Sequence, residues 1–327
     1  MKEEIITNKI LKWYDINKRS LPWRNKTSSK RKQYYTLVSE FMLQQTQVTT
    51  VVPYFNRFIK NIPDLETLAN FNNQELIKLW EGLGYYSRVR NLKKTAQIIV
   101  KDFNQKLPDN FFDLKLLPGI GDYTASAISA IAFNKPLIPL DGNIERVLKR
   151  YLYLKREKQI QKENLIKQKK VFGISERSSD YAQALMELGA LICKPKNPYC
   201  GKCPISQTCK SFIKKDFILT KIKKTNKEKY FLLKVFKKDN KYLLVKNIKF
   251  NFLKNFNIFP MEELIKHKNF NKSLNIKISN MNMNIQIKYT KVNNTIPLSY
   301  WIDPKKLKKY TLPTFTKKII TYLENYK

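Results

Sequence analysis

Acidic residues are scarce in this chain. Its 327 residues hold 26 Asp and Glu against 63 Lys and Arg, a formal net charge of +37. That imbalance favours a polyanionic partner, nucleic acid first. Lysine far outnumbers arginine, and Asn and Ile are abundant. Compositional drift also produces such a bias, so charge alone discriminates weakly. Long apolar runs are lacking: none reaches the roughly 18 residues of a membrane span. The opening Met1-Lys2-Glu3-Glu4 carries acids and no apolar segment, unlike a secretory signal. A cytoplasmic, nucleoid-associated protein with no membrane contact is expected. Histidine is lacking but for His267, read as a surface residue. Cysteine is confined to four positions. In a reducing compartment, clustered cysteines point to metal rather than disulfides.

The pattern predicts an all-α part followed by a smaller strand-containing part. Residues 34–213 read as helices with short turns. Leu37, Val38, Phe41 and Met42 form a helical stripe that runs on through Val48 and Val51, with Pro53 as its kink. A second helix starts near Asn72 or Asn73, carries Leu76, Leu79 and Trp80, and stops at Gly82-Leu83-Gly84. Val89, Leu92, Ala96 and Ile99 mark another, and a further helix runs from about Asp109 to Leu117-Pro118-Gly119. Residues 214–229, rich in Lys and Thr, read as a linker. Beyond it, 230–236 and 242–245 read as a strand pair about Lys238-Asp239-Asn240. Residues 284–289 alternate like a third strand, and an amphipathic helix spans about 315–326.

Cys193, Cys200, Cys203 and Cys209 lie in one short segment. Four soft thiolates suit zinc or an iron–sulfur cluster. The spacing resembles the [4Fe–4S] loop of the endonuclease III and MutY family of helix–hairpin–helix DNA glycosylases. That resemblance implies a structural cluster on these four residues, with Lys194, Lys196, Lys202 and Lys210 turned to phosphate.

Leu117-Pro118-Gly119-Ile120-Gly121-Asp122-Tyr123 precedes a helix. Two close glycines permit a tight turn, and a helix N-terminus suits an anion. About twenty residues on, Asp141-Gly142-Asn143 opens another helix, where Asp141 also reads as a cap. Hairpin plus aspartate resembles the family signature. Gly119 and Gly121 would then meet the DNA backbone, and Asp141 the flipped nucleotide.

Ser39-Glu40-Phe41-Met42-Leu43-Gln44-Gln45-Thr46 is similar to the adenine-removing, MutY branch. An apolar setting would raise the Glu40 pKa and let it deliver a proton. The resemblance gives Gln44, Gln45 and Thr46 to the gap and the opposite base, and Tyr85 and Arg88, in Gly84-Tyr85-Tyr86-Ser87-Arg88, to DNA. Leu21-Pro22-Trp23-Arg24 resembles the family's N-terminal entry. Strand-cutting relatives carry lysine where Tyr123 stands, and tyrosine forms no Schiff base.

The expectation is a monomeric, monofunctional glycosylase that removes adenine mispaired with 8-oxoguanine or guanine from double-stranded DNA. Glu40 and Asp141 would carry the chemistry, positioned by Tyr123 and Asn143. Residues 1–213 would form the helical core, with 26–132 as its six-helix part and 1–25 plus 133–213 as its iron–sulfur part. Residues 230–327 would form a Nudix-like α+β domain. There Ile278-Ser279-Asn280 stands where the family has Phe-Ser-His, which leaves Ser279 and Asn280 to read the lesion. Two alternatives stay open: an endonuclease III-like enzyme for oxidised pyrimidines, and an inactive iron–sulfur DNA-binding protein.

Overall fold

The computed structural model describes residues 2–154, 162–218, 227–265, 270–271, 273–278, 280–291 and 296–325. His267 and Ser279 lie outside them. The chain divides into two compact units, Met1–Asn72 with Ser87–Lys221, and Asn73–Tyr86 with Ile222–Lys327. No described helix is long and apolar enough to cross a membrane.

The first unit is helical: α1 (Lys2–Asn17), α2 (Ser29–Leu43), α3 (Val48–Asn61), α4 (Leu65–Asn70), then, beyond α5 (Asn73–Leu79) of the other unit, α6 (Ser87–Asp102), α7 (Phe111–Leu116), α8 (Asp122–Phe133), α9 (Gly142–Leu152), α10 (Lys162–Gln168), α11 (Ser178–Glu187) and α12 (Lys210–Ile213). Leu37, Val38 and Phe41 of α2 are fully buried, as are Val89, Leu92, Ala96 and Ile99 of α6. The helix expected from Asp109 starts two residues later, because Asn110 is the cap and accepts from the Phe112 N–H at 2.8 Å.

The stripe from Leu37 to Val51 is not one helix. α2 ends at Leu43 and α3 begins at Val48, with Gln45 in the left-handed region at φ 58°. Pro53 breaks nothing: it lies inside α3. A periodic apolar pattern persists across such a turn because both helices bury the same face, so periodicity alone does not register the break.

A second core joins both ends of this unit. Ile6, Ile10 and Tyr14 of α1 pack with Ile144 and Leu148 of α9, Phe172, and Leu185 of α11. Cys193, Cys203 and Cys209 lie against this core.

The second unit holds two sheets. One has the order β5-β1-β7-β6, from β1 (Lys227–Val235), β5 (Met261–Leu264), β6 (Leu274–Ile278) and β7 (Met281–Tyr289), with β1 and β7 parallel. The other joins β2 (Lys237–Lys238), β3 (Lys241–Lys246), β4 (Asn257–Ile258) and β8 (Ser299–Ile302). Helix α13 (Thr314–Asn325) buries Phe315, Ile319, Ile320 and Leu323 on their core. The two strands expected to pair therefore belong to different sheets. The turn at Asp239 and Asn240, both left-handed, closes only the short β2–β3 hairpin, since the chain changes sheets at Phe236. β1 also begins at Lys227, inside the expected linker.

Gly119 marks a close approach of three elements. Its φ is +82°, and a Cβ there would lie 2.9 Å from the Asn91 Cβ and from Phe41 Cε1. Gly119→Ala is therefore expected to cost about 2–3 kcal/mol. Gly142→Ala, whose Cβ would meet open space, serves as the control. Thermal melts of the two variants check this; equal midpoints would refute it.

Candidate active site

Three elements bring the predicted chemical groups to one cavity. Glu40 lies in the last turns of α2, Tyr123 in the first turn of α8, and Asp141 caps α9. All three line a cavity of about 960 Å³ within the first unit, together with Asn143, Arg24 and Glu187.

Glu40 is 4% exposed, and its Oε2 is buried without a hydrogen-bond partner. Burial pushes its carboxyl from an ordinary value of 4.5 to about 7; a hydrogen bond from Tyr123 opposes the rise, the charge of Asp141 adds to it, and Arg24 opposes it. The apolar neighbours in the sequence thus anticipated the environment. Tyr123 is held neutral by burial and by the two carboxylates beside it.

Asp141 is tied in place from two sides. Oδ1 accepts from the Ile144 N–H at 2.6 Å, and Oδ2 accepts from Asn143 Nδ2 at 2.9 Å. Capping a helix favours the ionised form. Burial outweighs it here: the Asp141 pKa is raised, against the amide of Ile144, Asn143 and the charge of Arg146. The cap orients the carboxylate more than it acidifies it.

Asn143 is held in turn. Arg146 Nη2 donates to Asn143 Oδ1 at 2.8 Å and to the Gly189 carbonyl at 2.7 Å, while Arg146 Nε donates to the Cys193 carbonyl at 2.6 Å. Gly189 sits in a wide helical turn, Leu188–Ile192, where a Cβ would come within 2.6 Å of the Asn143 Cβ.

The four cysteines form no disulfide and ring one small cavity with Val147, Tyr151 and Leu188. Among the described residues no three His, Cys, Asp or Glu side chains converge on a single metal ion. A few donors face the sulfurs, while burial raises the Cys200, Cys203 and Cys209 thiols. Arg150 Nη1 lies 3.5 Å from Cys193 Sγ, the Ile205 amide faces Cys203, and the Ser211 and Phe212 amides face Cys209. Burial first, and then the neighbouring cysteines, push the Cys203 thiol up to about 12 against the Ile205 amide, so a bound cationic centre is what would keep it ionised.

Residues 38–170 match the model of the HhH-GPD superfamily of base excision DNA repair proteins. An adenine DNA glycosylase of Buchnera aphidicola subsp. Schizaphis graminum is 37% identical over 263 residues, which cover 78% of this chain and 74% of that protein. The chain belongs to the adenine DNA glycosylase family. The family member of Buchnera aphidicola subsp. Baizongia pistaciae is 41% identical over 219 residues, 67% of this chain and 61% of its own length. The human adenine DNA glycosylase is 39% identical over 213 residues, but this chain spans only 38% of its length. Among solved structures, a thermostable thymine-DNA glycosylase superposes with a TM-score of 0.58 at 27% identity, covering 65% of this chain and 97% of that one. Endonuclease III trapped on DNA shares the fold, with a TM-score of 0.53 at 20% identity over 66% of this chain and 98% of its own.

The remaining expected contacts of this family member divide sharply. Gln45 is exposed at its turn, with Gln44 and Thr46 half-buried beside it. Gly119 and Gly121 are exposed on the hairpin. Tyr85, 44% exposed and left-handed at φ 47°, belongs to the second unit, as does Asn280, which is exposed and whose carbonyl accepts from the Lys227 N–H at 2.9 Å. Arg88 departs from expectation. It is 5% exposed and bonds backbone carbonyls inside the protein, so it is no surface contact.

Sequence reasoning missed Arg19, Glu187 and Arg146, and quoted Arg24 without a role. The Glu187 carboxylate is fully buried, bonded by Arg19 at 2.8 and 2.9 Å and by Arg24 at 2.9 Å. Arg24 Nε is buried without a partner. No local spacing marks Glu187; only the pairing of distant segments does.

The raised Glu40 pKa has a sign for stability. The unfolded chain loses this proton near 4.5 and the folded chain near 7, so stability falls as pH rises through that window. Glu40→Gln removes the burden, and should gain roughly 3 kcal/mol over the parent above pH 7 and little below pH 4. Denaturant unfolding at pH 8 against pH 4 tests this; an unchanged difference between the two would contradict the buried carboxyl.

Proposed function

We propose that this chain removes adenine, mispaired with 8-oxoguanine or guanine, from double-stranded DNA by hydrolysing the N-glycosidic bond. The observation that carries the reading is the pair of carboxyls in one cavity: Glu40, poised near neutrality, and Asp141, oriented by Asn143. Two buried polar atoms there, Glu40 Oε2 and Arg24 Nε, lack partners among the described residues and suit a base edge.

A base in a duplex leaves the stack before its bond is broken. Protonated Glu40 then donates to adenine, at N7, and the base departs with the bonding electrons. Positive charge develops on the sugar and is stabilised by Asp141. Water adds at the sugar carbon, its proton returns to the Glu40 carboxylate, and an abasic site remains. Tyr123, hydrogen-bonded to Glu40, holds the acid. It offers no amine, so the backbone stays uncut by that route. This last point separates the reading from an endonuclease III-like enzyme. Retention of both carboxyls speaks against an inactive binder.

In this reading Cys193, Cys200, Cys203 and Cys209 hold a [4Fe–4S] cluster. Bound there, it would supply rigid anchorage to the basic loop, and through the Cys193 carbonyl and Arg146 to Asn143 and Asp141. The second unit, Nudix-like, takes the opposite base, with Ser279 and Asn280 as its candidate readers. The protein acts as a monomer on DNA.

Duplexes with adenine opposite 8-oxoguanine, adenine opposite guanine, or oxidised thymine test the activity. Breaks are expected on the adenine substrates only after alkali; breaks on oxidised thymine, or without alkali, refute it. Single-turnover rates should fall as pH rises above about 7, as Glu40 loses its proton. Glu40→Gln should lose at least about 100-fold. Metal analysis of protein purified without oxygen should find about four irons per chain; stoichiometric zinc would overturn the cluster.

A further inference from the structure

α2 carries Glu40 and ends three residues later, before a turn whose exposed residue is Gln45. The last carbonyls of a helix have no partner within it. Here they converge on one buried cation. The two N–H groups of Arg88 Nη1 are shared among the Phe41 carbonyl at 3.1 Å, the Met42 carbonyl at 2.6 Å and the Gln44 carbonyl at 2.6 Å. Arg88 stands in the first turn of α6 and is 5% exposed. A guanidinium is expensive to bury, and an apolar side chain would fill the same volume more cheaply. What an apolar side chain lacks is a donor for three carbonyls that face one point.

The consequence is the shape of the turn. The Gln44 carbonyl is fixed by Arg88, and the Thr46 N–H closes on the Leu43 carbonyl at 3.2 Å. Between them Gln45 is held at φ 58°, a conformation disfavoured for a residue with a side chain. The Gln44 side chain reaches the other way, donating to the Gly119 carbonyl at 3.3 Å and Thr124 Oγ1 at 3.5 Å. The turn is thus braced on α6 from inside and on the hairpin from outside, and Gln45 is presented outward from a rigid base.

We propose that Arg88 is a positioning residue for base extrusion: it holds the Gln44–Gln45–Thr46 turn in the strained form that enters the space left by the departing base. This rests on the reading of the chain as an adenine glycosylase. Arg88 acts through the turn and touches neither adenine nor sugar.

The test uses the full-length protein and a duplex carrying 2-aminopurine in place of adenine opposite 8-oxoguanine, whose fluorescence rises on unstacking. Stopped-flow mixing records the rise before any base is released, and anisotropy records binding of the same duplex. Arg88→Met should bind within about threefold of the parent, yet lose most of the fluorescence rise, with adenine excision down about 100-fold. Arg88→Lys, which keeps a charge and donors but ends one bond short of the Nη1 position, should recover part of the rise. A full rise in Arg88→Met overturns the proposal, as does a loss of binding in step with the rise, which marks general disruption. If Arg88→Met does not fold, the decision falls to Arg88→Lys: a reduced rise at parental binding supports the role, and an unchanged rise overturns it. Parent protein that unstacks the probe but excises no adenine would sink the chemical reading and leave the role of Arg88 standing. Parent protein that fails to unstack it sinks the role itself.

Discussion

The carboxyl of Glu40 is held away from water, and much of the helical unit is arranged around that burden. A buried carboxylate is unfavourable unless it is paired, and its usual escape is to keep its proton. Tyr123 bonds it and Arg24 pulls the other way, but burial wins and the group rests near 7. The neighbouring Glu187, also buried, has different partners. Two arginines pair it, so the cavity holds one poised acid and one carboxyl bonded by two guanidinium groups. The difference lies in the partners, not in the residue type.

Asp141 shows how orientation and acidity separate. Its helix cap and Asn143 decide where the oxygens point, while burial still lifts its pKa. Behind it runs a chain of single contacts, Asn143 to Arg146 to the carbonyl of Cys193, that ends in the cysteine loop. Arg150 repeats the pattern one turn later on α9, donating to the Lys194 and Pro195 carbonyls at 2.6 and 2.9 Å. The cysteine segment has few apolar residues of its own. Two arginines of the helix that Asp141 caps bind its backbone, so the loop and the carboxylate share one support.

The legible part of this protein was local. Periodicity located α6 and α13, the glycine pair located the hairpin, and cysteine spacing located the ring of thiols. The errors have a common cause. The break after Leu43 was invisible because both flanking helices bury one face. The strand pair was misjudged because adjacency in sequence does not decide which sheet a strand joins. Arg88 was given to DNA by family resemblance of its segment; its burial depends on carbonyls nearly fifty residues away.

Residue types and spacings by themselves offered a proton donor in an apolar run, an aspartate at a helix start and four thiols in one short segment, and the family resemblance added that tyrosine stands where strand-cutting relatives carry lysine. Those are properties of side chains and short segments. Only the tertiary structure decided that burial raises the Glu40 carboxyl while two arginines pair Glu187, that Asp141 is tied through Arg146 to the cysteine loop, and that Arg88 serves the turn from within. Each depends on how far water is excluded and on which distant groups fill the vacated contacts, and neither is set until the helices pack.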